Sequence, residues 1–245
     1  MSAESTIALA LAVAAVAFLY STVGHAGASG YIAVMTLFGL SAATIRPTAL
    51  TLNIIVSVLT TWQFWRSGHF SWRLFWPFAL LAVPLAYVGG YVTLPTHIFK
   101  MLIGAVLLLS AARLLIKPSE DVVAREVTRP IAIGVGGVLG LFAGLTGTGG
   151  GIFLTPVLLF MRWAKTKQAA AASAAFILLN SIAGLAGNFS ATRTIPGVAV
   201  PLAGAVLVGG AAGSYLGARR FDHTIIKRML AIVLVIAGVK LICTV

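Results

Sequence analysis

Acidic side chains and cysteines are both scarce in this chain, and each scarcity excludes a class of protein. Of 245 residues only 5 are Asp or Glu, charged residues make up 9%, and hydrophobic residues make up 60%. A soluble globular domain carries about 25% charged residues, so the composition predicts an integral membrane protein. The single cysteine, Cys243, excludes an internal disulfide and a metal site built on cysteines.

The few acidic residues also avoid the centres of the apolar segments. They are Glu4, Glu120, Asp121, Glu126 and Asp222. Carboxylates inside a membrane are the usual parts of proton relays and cation sites, so neither is expected here. The histidines have no metal-ligand spacing; they are His25, His69, His97 and His223. Because the apolar segments also lack a nucleophile or paired carboxylates, we expect neither an enzyme nor a bound metal or cofactor.

Basic residues are plentiful, and 17 Lys and Arg give a formal net charge of +12. In a soluble protein such a charge favours nucleic acid, but here the basic residues lie between apolar segments, which is the pattern of membrane topology. We therefore expect membrane lipid and a small anion as partners, and no nucleic acid. The N-terminal apolar segment lacks a basic start, so we expect it to be retained rather than cleaved as a signal peptide.

Apolar segments of two kinds divide the chain. Six have the length of about 20 residues that a transmembrane helix needs; they are 45–65, 74–92, 97–116, 168–188, 196–217 and 224–244. Two others, 5–41 and 130–161, are each too long for one helix and too short for two. Glycine-rich breaks interrupt them at 24–30 and 147–151, so each is predicted to form a re-entrant hairpin of two helical arms.

The two halves of the chain resemble each other. Gly24 corresponds to Gly147, and the Leu-Asn pair that ends at Asn53 recurs at Asn180. Each half then holds one glycine-broken hairpin and three transmembrane helices, and this odd number of crossings inverts the second repeat relative to the first. The predicted units are a first membrane repeat at 1–115, a linker at 116–129 and a second membrane repeat at 130–245.

Basic residues also predict the orientation. With the N-terminus outside, most Lys and Arg residues fall on the inside, as membrane proteins prefer. Those that fall outside are Arg46, Lys100, Arg193 and Lys240. We therefore expect an all-α polytopic membrane protein, with both termini outside and the linker 116–129 in the cytoplasm. The five tryptophans flank the same inside intervals, as expected of side chains at the membrane surface.

The glycine breaks are candidates for an anion site. Irregular backbone at membrane depth is tolerated where it lines a cavity, and paired breaks in inverted halves are typical of transporter sites. The arm after each break would present a helix N-terminus, with free N–H groups and partial positive charge, to a ligand. The candidate residues are Gly24, His25, Gly27, Ser29 and Gly30 in the first break, and Gly147, Thr148, Gly149, Gly150 and Gly151 in the second.

Other glycines recur at every fourth position and indicate packing. Two such series are Gly136, Gly140 and Gly144, and Gly209, Gly213 and Gly217. Small residues at this spacing let membrane helices approach each other closely, so we predict that both series lie in helix–helix interfaces.

Polar residues within the apolar segments supply the remaining candidates. Asn53 and Asn180 hold matching positions in the two halves, and because an amide in the membrane needs a partner, each either binds substrate or hydrogen-bonds backbone freed by a break. His25 either donates to an anion, carries a coupling proton, or has a capping or packing role. The weaker candidates are Ser57, Thr61, Gln63 and Asn188.

These features together resemble the TauE/SafE family. The resemblance rests on the second break with its following apolar helix and Pro156, on the matching GHAGASGYIAVMTLFGL at 24–40, and on the duplicated Asn segments. It implies an inner-membrane carrier of sulfite, organosulfonates or other sulfur-containing anions. We expect a secondary transporter, with export favoured, that binds substrate at the midplane between the breaks and works by alternating access. An anion channel on the same scaffold is the alternative. Oligomeric state has no signal in the sequence.

Overall fold

The computed structural model is all-helical in the residues that it describes, which are 3–92, 108, 112, 125–193 and 197–243. Within these residues the helices are α1 (Ala3–Ser21), α2 (Ala28–Leu37), α3 (Ala42–Arg66), α4 (Trp72–Tyr91), α5 (Arg129–Thr146), α6 (Gly151–Phe160), α7 (Thr166–Thr192), α8 (Ala199–Tyr215) and α9 (His223–Cys243), and a π-helical turn, Leu216–Arg220, extends α8. Almost all of the predicted helix at 97–116 and most of the predicted linker at 116–129 lie outside the described residues.

Six described helices, α1, α3, α4, α5, α7 and α8, are long and apolar enough to cross a membrane. Four of them confirm the spans predicted at 45–65, 74–92, 168–188 and 196–217, and their ends lie within about one helical turn of the predicted ones. Helix α9 covers the segment predicted at 224–244. The chain is therefore an all-α polytopic membrane protein.

The two glycine-broken regions each form one long arm and one short arm. The long arms, α1 and α5, have 19 and 18 residues, whereas the short arms, α2 and α6, have 10 residues each. At about 1.5 Å per residue, a long arm extends about 27 Å and a short arm about 15 Å, against a hydrocarbon core of about 30 Å. The predicted hairpins are thus unequal, because only their first arms are long enough to cross.

Two helix–helix interfaces are built on the glycine series that recur every fourth residue. A Cβ atom on any of these six glycines would lie 2.1–2.3 Å from a backbone carbonyl oxygen of the neighbouring helix. Gly136, Gly140 and Gly144 of α5 face Phe78, Ala82 and Ala86 of α4. Gly209 and Gly213 of α8 face Ala14 and Phe18 of α1, and Gly217 in the π-helical turn faces Thr22, which follows α1. Backbones this close exclude any side chain, so the predicted packing role is confirmed.

Helices α3 and α7 lie at the centre of the bundle. The apolar window of α7 is 72% buried and that of α3 is 56% buried, whereas the values for the other four spans lie between 28% and 39%. The first half of α7 is rich in alanine, with buried residues at 169–172 and 174–175, and such small side chains allow neighbours to pack on every side. The two asparagines predicted for the site, Asn53 and Asn180, lie near the middles of these two helices.

Contacts at the helix ends show how the helices run. His69, in the loop between α3 and α4, lies 3.2 Å from the carbonyl oxygen of Ala218, in the turn that ends α8. Lys167, in the first turn of α7, donates to the same oxygen at 3.3 Å. We call this side the His69 end. Helices α3 and α8 end there, and helices α4 and α7 begin there. Helix α7 is thus antiparallel to α3, and α8 to α4, as expected of inverted halves, although inversion of the complete repeats stays a prediction.

Candidate functional site

Each hairpin turns at glycines whose backbone lies in the left-handed region. In the first break φ is 81° at Gly24 and 110° at Gly27, and in the second it is 73° at Gly147, 74° at Gly149 and 80° at Gly150. This conformation costs a residue with a Cβ atom roughly 1–2 kcal/mol. The glycines therefore let the chain reverse within a few residues at each break.

The short arms α2 and α6 begin without a capping side chain. Their N-cap residues are Gly27 and Gly150. The first N–H groups of a helix have no partner within that helix, and its N-terminus carries roughly half a positive charge. Each break therefore places an uncapped, partly positive helix N-terminus inside the bundle. Its role in binding an anion stays a prediction.

The breaks are packed tightly against the rest of the bundle. A Cβ atom added to a break glycine would lie within 2.3–2.5 Å of a neighbour in three cases: Gly24 against the Ala170 carbonyl oxygen, Gly30 against Val16, and Gly151 against Ile177. Ala170 and Ile177 both belong to α7, so the central helix contacts both breaks.

A chain of hydrogen bonds joins the first break to the second short arm. His25 Nε2 lies 2.8 Å from Thr155 Oγ1, and Thr155 donates to Ser173 of α7 at 2.6 Å. Because Thr155 gives its only proton to Ser173, His25 Nε2 must be the donor. All three side chains are buried, and His25 Nδ1 has no hydrogen-bond partner among the described residues. Thr155 lies four residues, or about 6 Å along the axis, from the start of α6 at Gly151, so the two breaks lie close together.

Asn53 joins the centre of α3 to the second break. Its Nδ2 lies 3.3 Å from the carbonyl oxygen of Thr148 and 3.3 Å from Ser181 Oγ of α7. Gly149 packs on the same group, since a Cβ atom there would lie 2.9 Å from Asn53 Nδ2 and 2.7 Å from Ser181 Oγ. Asn53 therefore pairs with backbone freed by the break, one of the two roles that the sequence left open. Its role in substrate binding stays a prediction.

Asn180 holds the matching position but makes a different contact. Its Nδ2 donates to the carbonyl oxygen of Phe176 in its own helix at 2.8 Å. In the described part of the chain, the Oδ1 atoms of both Asn53 and Asn180 are buried and have no partner. An unpaired buried acceptor costs about 1–3 kcal/mol. A water molecule or ligand that donates a hydrogen bond to either oxygen would therefore bind favourably.

Three hydroxyl candidates bond to their surroundings. Ser29 Oγ lies 3.0 Å from the hydroxyl of Tyr20, across the first hairpin. Ser57 donates to the carbonyl oxygen of Ile54 at 3.2 Å, as serine in membrane helices often does. Thr148 Oγ1 lies 2.8 Å from the hydroxyl of the threonine two residues before it. Ser29 and Thr148 thus help to hold the breaks in shape, and Ser57 bonds within α3.

The remaining secondary candidates lie farther from the breaks. Thr61 and Asn188 each follow a central asparagine by eight residues, or about 12 Å of helix. Both have a buried polar atom that finds no partner among the described residues. Gln63 lies still nearer the end of α3 and is half-buried. The structure therefore does not bring these three side chains together with the two breaks.

Arg46 is half-buried and makes contacts that the sequence reasoning, which counted it only as a basic residue on the outside, did not predict. It lies in α3 near its start, and its guanidinium donates to the carbonyl oxygen of Gly89 at 2.7 Å and to that of Gly144. These carbonyls belong to the last turns of α4 and α5, where helix oxygens lack intrahelical partners. The Arg46 side chain also fills the space next to Gly147, where a Cβ atom would lie 2.9 Å from Arg46 Cγ. Arg46 thus caps two helices and supports the second break.

Carboxylates are absent from the described surroundings of the breaks. Among the acidic residues that the structure describes, Glu4 lies in the first turn of α1, and Glu126 and Asp222 precede α5 and α9. Helix N-termini without nearby negative charge favour an anion over a cation.

Two comparisons with known proteins agree with this arrangement. Residues 9–241 match the family described as sulfite exporter TauE/SafE. A protein of Sinorhizobium fredii (strain NBRC 101917 / NGR234), named probable membrane transporter protein y4hK, is 40% identical over 241 residues, which cover 96% of this chain and 98% of the relative. No solved structure matches the chain.

Proposed function

Since the chain belongs to the TauE/SafE sulfite exporter family, we propose that it carries small sulfur-containing anions, sulfite and organosulfonates among them, across the cell's inner membrane. Family membership and the relative identify a multi-pass membrane transporter. The substrate class, the direction of export and the inner-membrane location are the finer parts of the proposal.

The observation that carries the proposal is the pair of uncapped short arms. Helices α2 and α6 both begin at a left-handed glycine without a capping side chain, and His25 of the first break contacts Thr155, one turn inside α6. Backbone N–H groups in such a position suit an oxyanion, because they donate several hydrogen bonds without requiring a cationic side chain. A sulfite or sulfonate group offers three oxygen acceptors in a compact arrangement, which suits backbone donors from two neighbouring breaks.

The contacts between the two halves support the proposal of alternating access. Three hydrogen bonds near the breaks join the first half to the second: His25 to Thr155, and Asn53 to Thr148 and to Ser181. These side chains are buried, so the described conformation closes the site to solvent. Rocking of one half against the other would break these bonds and open the site to one side at a time.

Efflux from proteoliposomes tests the substrate. The purified chain is reconstituted into vesicles loaded with sulfite or an organosulfonate, and release is compared with protein-free vesicles and with chloride-loaded vesicles. We expect protein-dependent efflux of the sulfur anions. Release no faster than from empty liposomes would remove the substrate proposal.

Substitution at the centre tests the site. We expect Asn53→Ala and Asn180→Ala to abolish efflux while the protein still inserts into the membrane, because each change removes a buried amide near the breaks. Ser214→Ala is the matched control. Ser214 is also buried, and among the described residues its hydroxyl bonds only its own helix, at 2.7 Å from its Oγ to the Gly210 carbonyl oxygen. Wild-type efflux in both asparagine variants would show that the site lies elsewhere.

A further inference from the structure

A cavity of about 560 Å³ lies at the His69 end, where the first turns of three helices meet. Ser71 and Arg73 line it from the start of α4, Thr128 and Arg129 from the start of α5, and Gln168 from the first turn of α7. Its volume lies within the range of roughly 300–1,000 Å³ of small-ligand pockets. The lining includes no residue of either glycine break, so this cavity is separate from the proposed transport site.

The charge of the cavity is strongly positive. Arg73, Arg125 and Arg129 line it together with one acidic residue, Glu126. Glu126 pairs with Arg73 at 3.1 Å. Arg125 and Arg129 have no ion-pair partner among the residues that the structure describes. Two arginines without a described ion-pair partner therefore line the cavity, and guanidinium suits bidentate binding of phosphate oxygens.

The ends of the surrounding helices add to this positive potential. Helices α4, α5 and α7 all begin at the cavity and have 20, 18 and 27 residues. Each N-terminus carries roughly half a positive charge. The Thr128 side chain does not cap α5. The helix ends thus reinforce the field of the arginines.

The surroundings of the cavity are those of a membrane surface. Trp163 lines the cavity beside the apolar side chains of Leu74 and Val127. Arg129 also lies over the ring of Trp76, with 5.7 Å between its Cζ and the ring centroid, and tryptophan is typical of the membrane–water interface.

Exposed apolar side chains continue from the cavity along the bundle. On α4 and α5, Leu81, Ile131 and Val138 are 42%, 53% and 54% exposed. These helices pack against each other, so their outer faces provide a continuous surface for acyl chains. A ligand with an anionic head and apolar chains would match both the cavity and this surface.

We propose that the cavity binds the phosphate headgroup of an anionic phospholipid, with Arg125 and Arg129 on the phosphate and the acyl chains against α4 and α5. This proposal does not depend on the transport function. It follows from the general preference of basic pockets at membrane surfaces for anionic headgroups.

Native mass spectrometry of the detergent-solubilised full chain tests the proposal. The protein is titrated with phosphatidylglycerol or with phosphatidylcholine of the same acyl chains. Each basic residue at a membrane surface strengthens anionic-lipid binding roughly five-fold, so two arginines predict a preference for phosphatidylglycerol of roughly 25-fold. The double variant Arg125→Gln/Arg129→Gln is expected to lose most of this preference, and Arg125→Lys/Arg129→Lys, which keeps the charges, is expected to retain most of it.

Arg66→Gln is the matched control. Arg66 is exposed in the last turn of α3 at the same end of the bundle, and it lies 5.7 Å from the ring of Trp62, as Arg129 does from Trp76. Because Arg66 does not line the cavity, its loss should weaken phosphatidylglycerol binding far less than loss of the two cavity arginines. Equal binding of the two lipids by the wild-type protein, or an equal loss in Arg66→Gln, would overturn the proposal. So would displacement of the lipid by inorganic phosphate at the same concentration, because the site would then take a soluble anion. The comparison of lipids on the wild-type protein needs no variant and remains decisive if a variant fails to fold.

Discussion

The sharpest test of the second break is the substitution Gly149→Ala. Gly149 has φ 74°, a conformation that costs an alanine roughly 1–2 kcal/mol. The new Cβ atom would lie 2.7 Å from Ser181 Oγ and 2.9 Å from Asn53 Nδ2, and overpacking of this kind costs about 1–3 kcal/mol. We therefore expect a loss of about 2–5 kcal/mol in stability, together with loss of transport, because the Asn53 contact with the break must move.

Gly68→Ala separates backbone strain from crowding. Gly68 has φ 75°, but a Cβ atom there would meet nothing within 4 Å, so this variant should show only the strain of roughly 1–2 kcal/mol and should keep transport. Thermal unfolding of the purified variants and sulfite efflux from proteoliposomes provide the two readouts. If Gly149→Ala unfolds and transports like Gly68→Ala, the close approach of the break to Asn53 has no functional role.

Three further variants test other parts of the molecule. Gly140→Ala should lower the thermal stability by about 1–3 kcal/mol, because its Cβ atom would meet a carbonyl oxygen at 2.3 Å. Gly134→Ala, on the same helix with open space, should be neutral or stabilising by up to about 1 kcal/mol, and equal effects would contradict the interface. Arg46→Gln should destabilise by about 1–3 kcal/mol for each carbonyl left unpaired, whereas Arg193→Gln, in an exposed position, should melt like the wild type. Burial lowers the pKa of His69 below its ordinary value of 6.5, so the folded state favours the neutral ring and stability should fall as the pH drops below 6.5. A His69→Gln variant with the same pH profile as the wild type would refute this.

Local features of the sequence were enough to predict much of the fold. The lengths of the apolar segments predict the positions of α3, α4, α7 and α8, because a membrane-spanning helix has nearly fixed dimensions. The four-residue spacing of Gly136, Gly140 and Gly144 predicts a packing ridge, because it places three glycines on one face of a helix. The glycine clusters at 24–30 and 147–151 predict chain reversals, and the structure has positive φ at glycines in both.

Contacts between distant segments could not be predicted in the same way. Thr155, Ser173 and Ser181 become partners of site residues only through the register between helices, which no local pattern specifies. Arg46 had a usable signal, since it lies within the apolar segment predicted at 45–65, and a charge inside a membrane helix demands a partner. The orientation argument used Arg46 only as a basic residue on the outside, and its hydrogen bonds to Gly89 and Gly144 show that it also joins α3 to the ends of α4 and α5.

The two matching asparagines show why equal sequence positions need not make equal contacts. The three consecutive glycines that end at Gly151 allow the second break to approach α3, so that Asn53 meets a backbone carbonyl. The first break contains His25 instead, and its imidazole contacts Thr155 of the opposite half, while Asn180 bonds its own helix. The second break is therefore held through its backbone and the first through a side chain. It follows that the halves need not contribute equally to binding. Changes at the two breaks should impair transport by different routes: a change at His25 removes a hydrogen-bond donor, and a change at Gly149 crowds the second break.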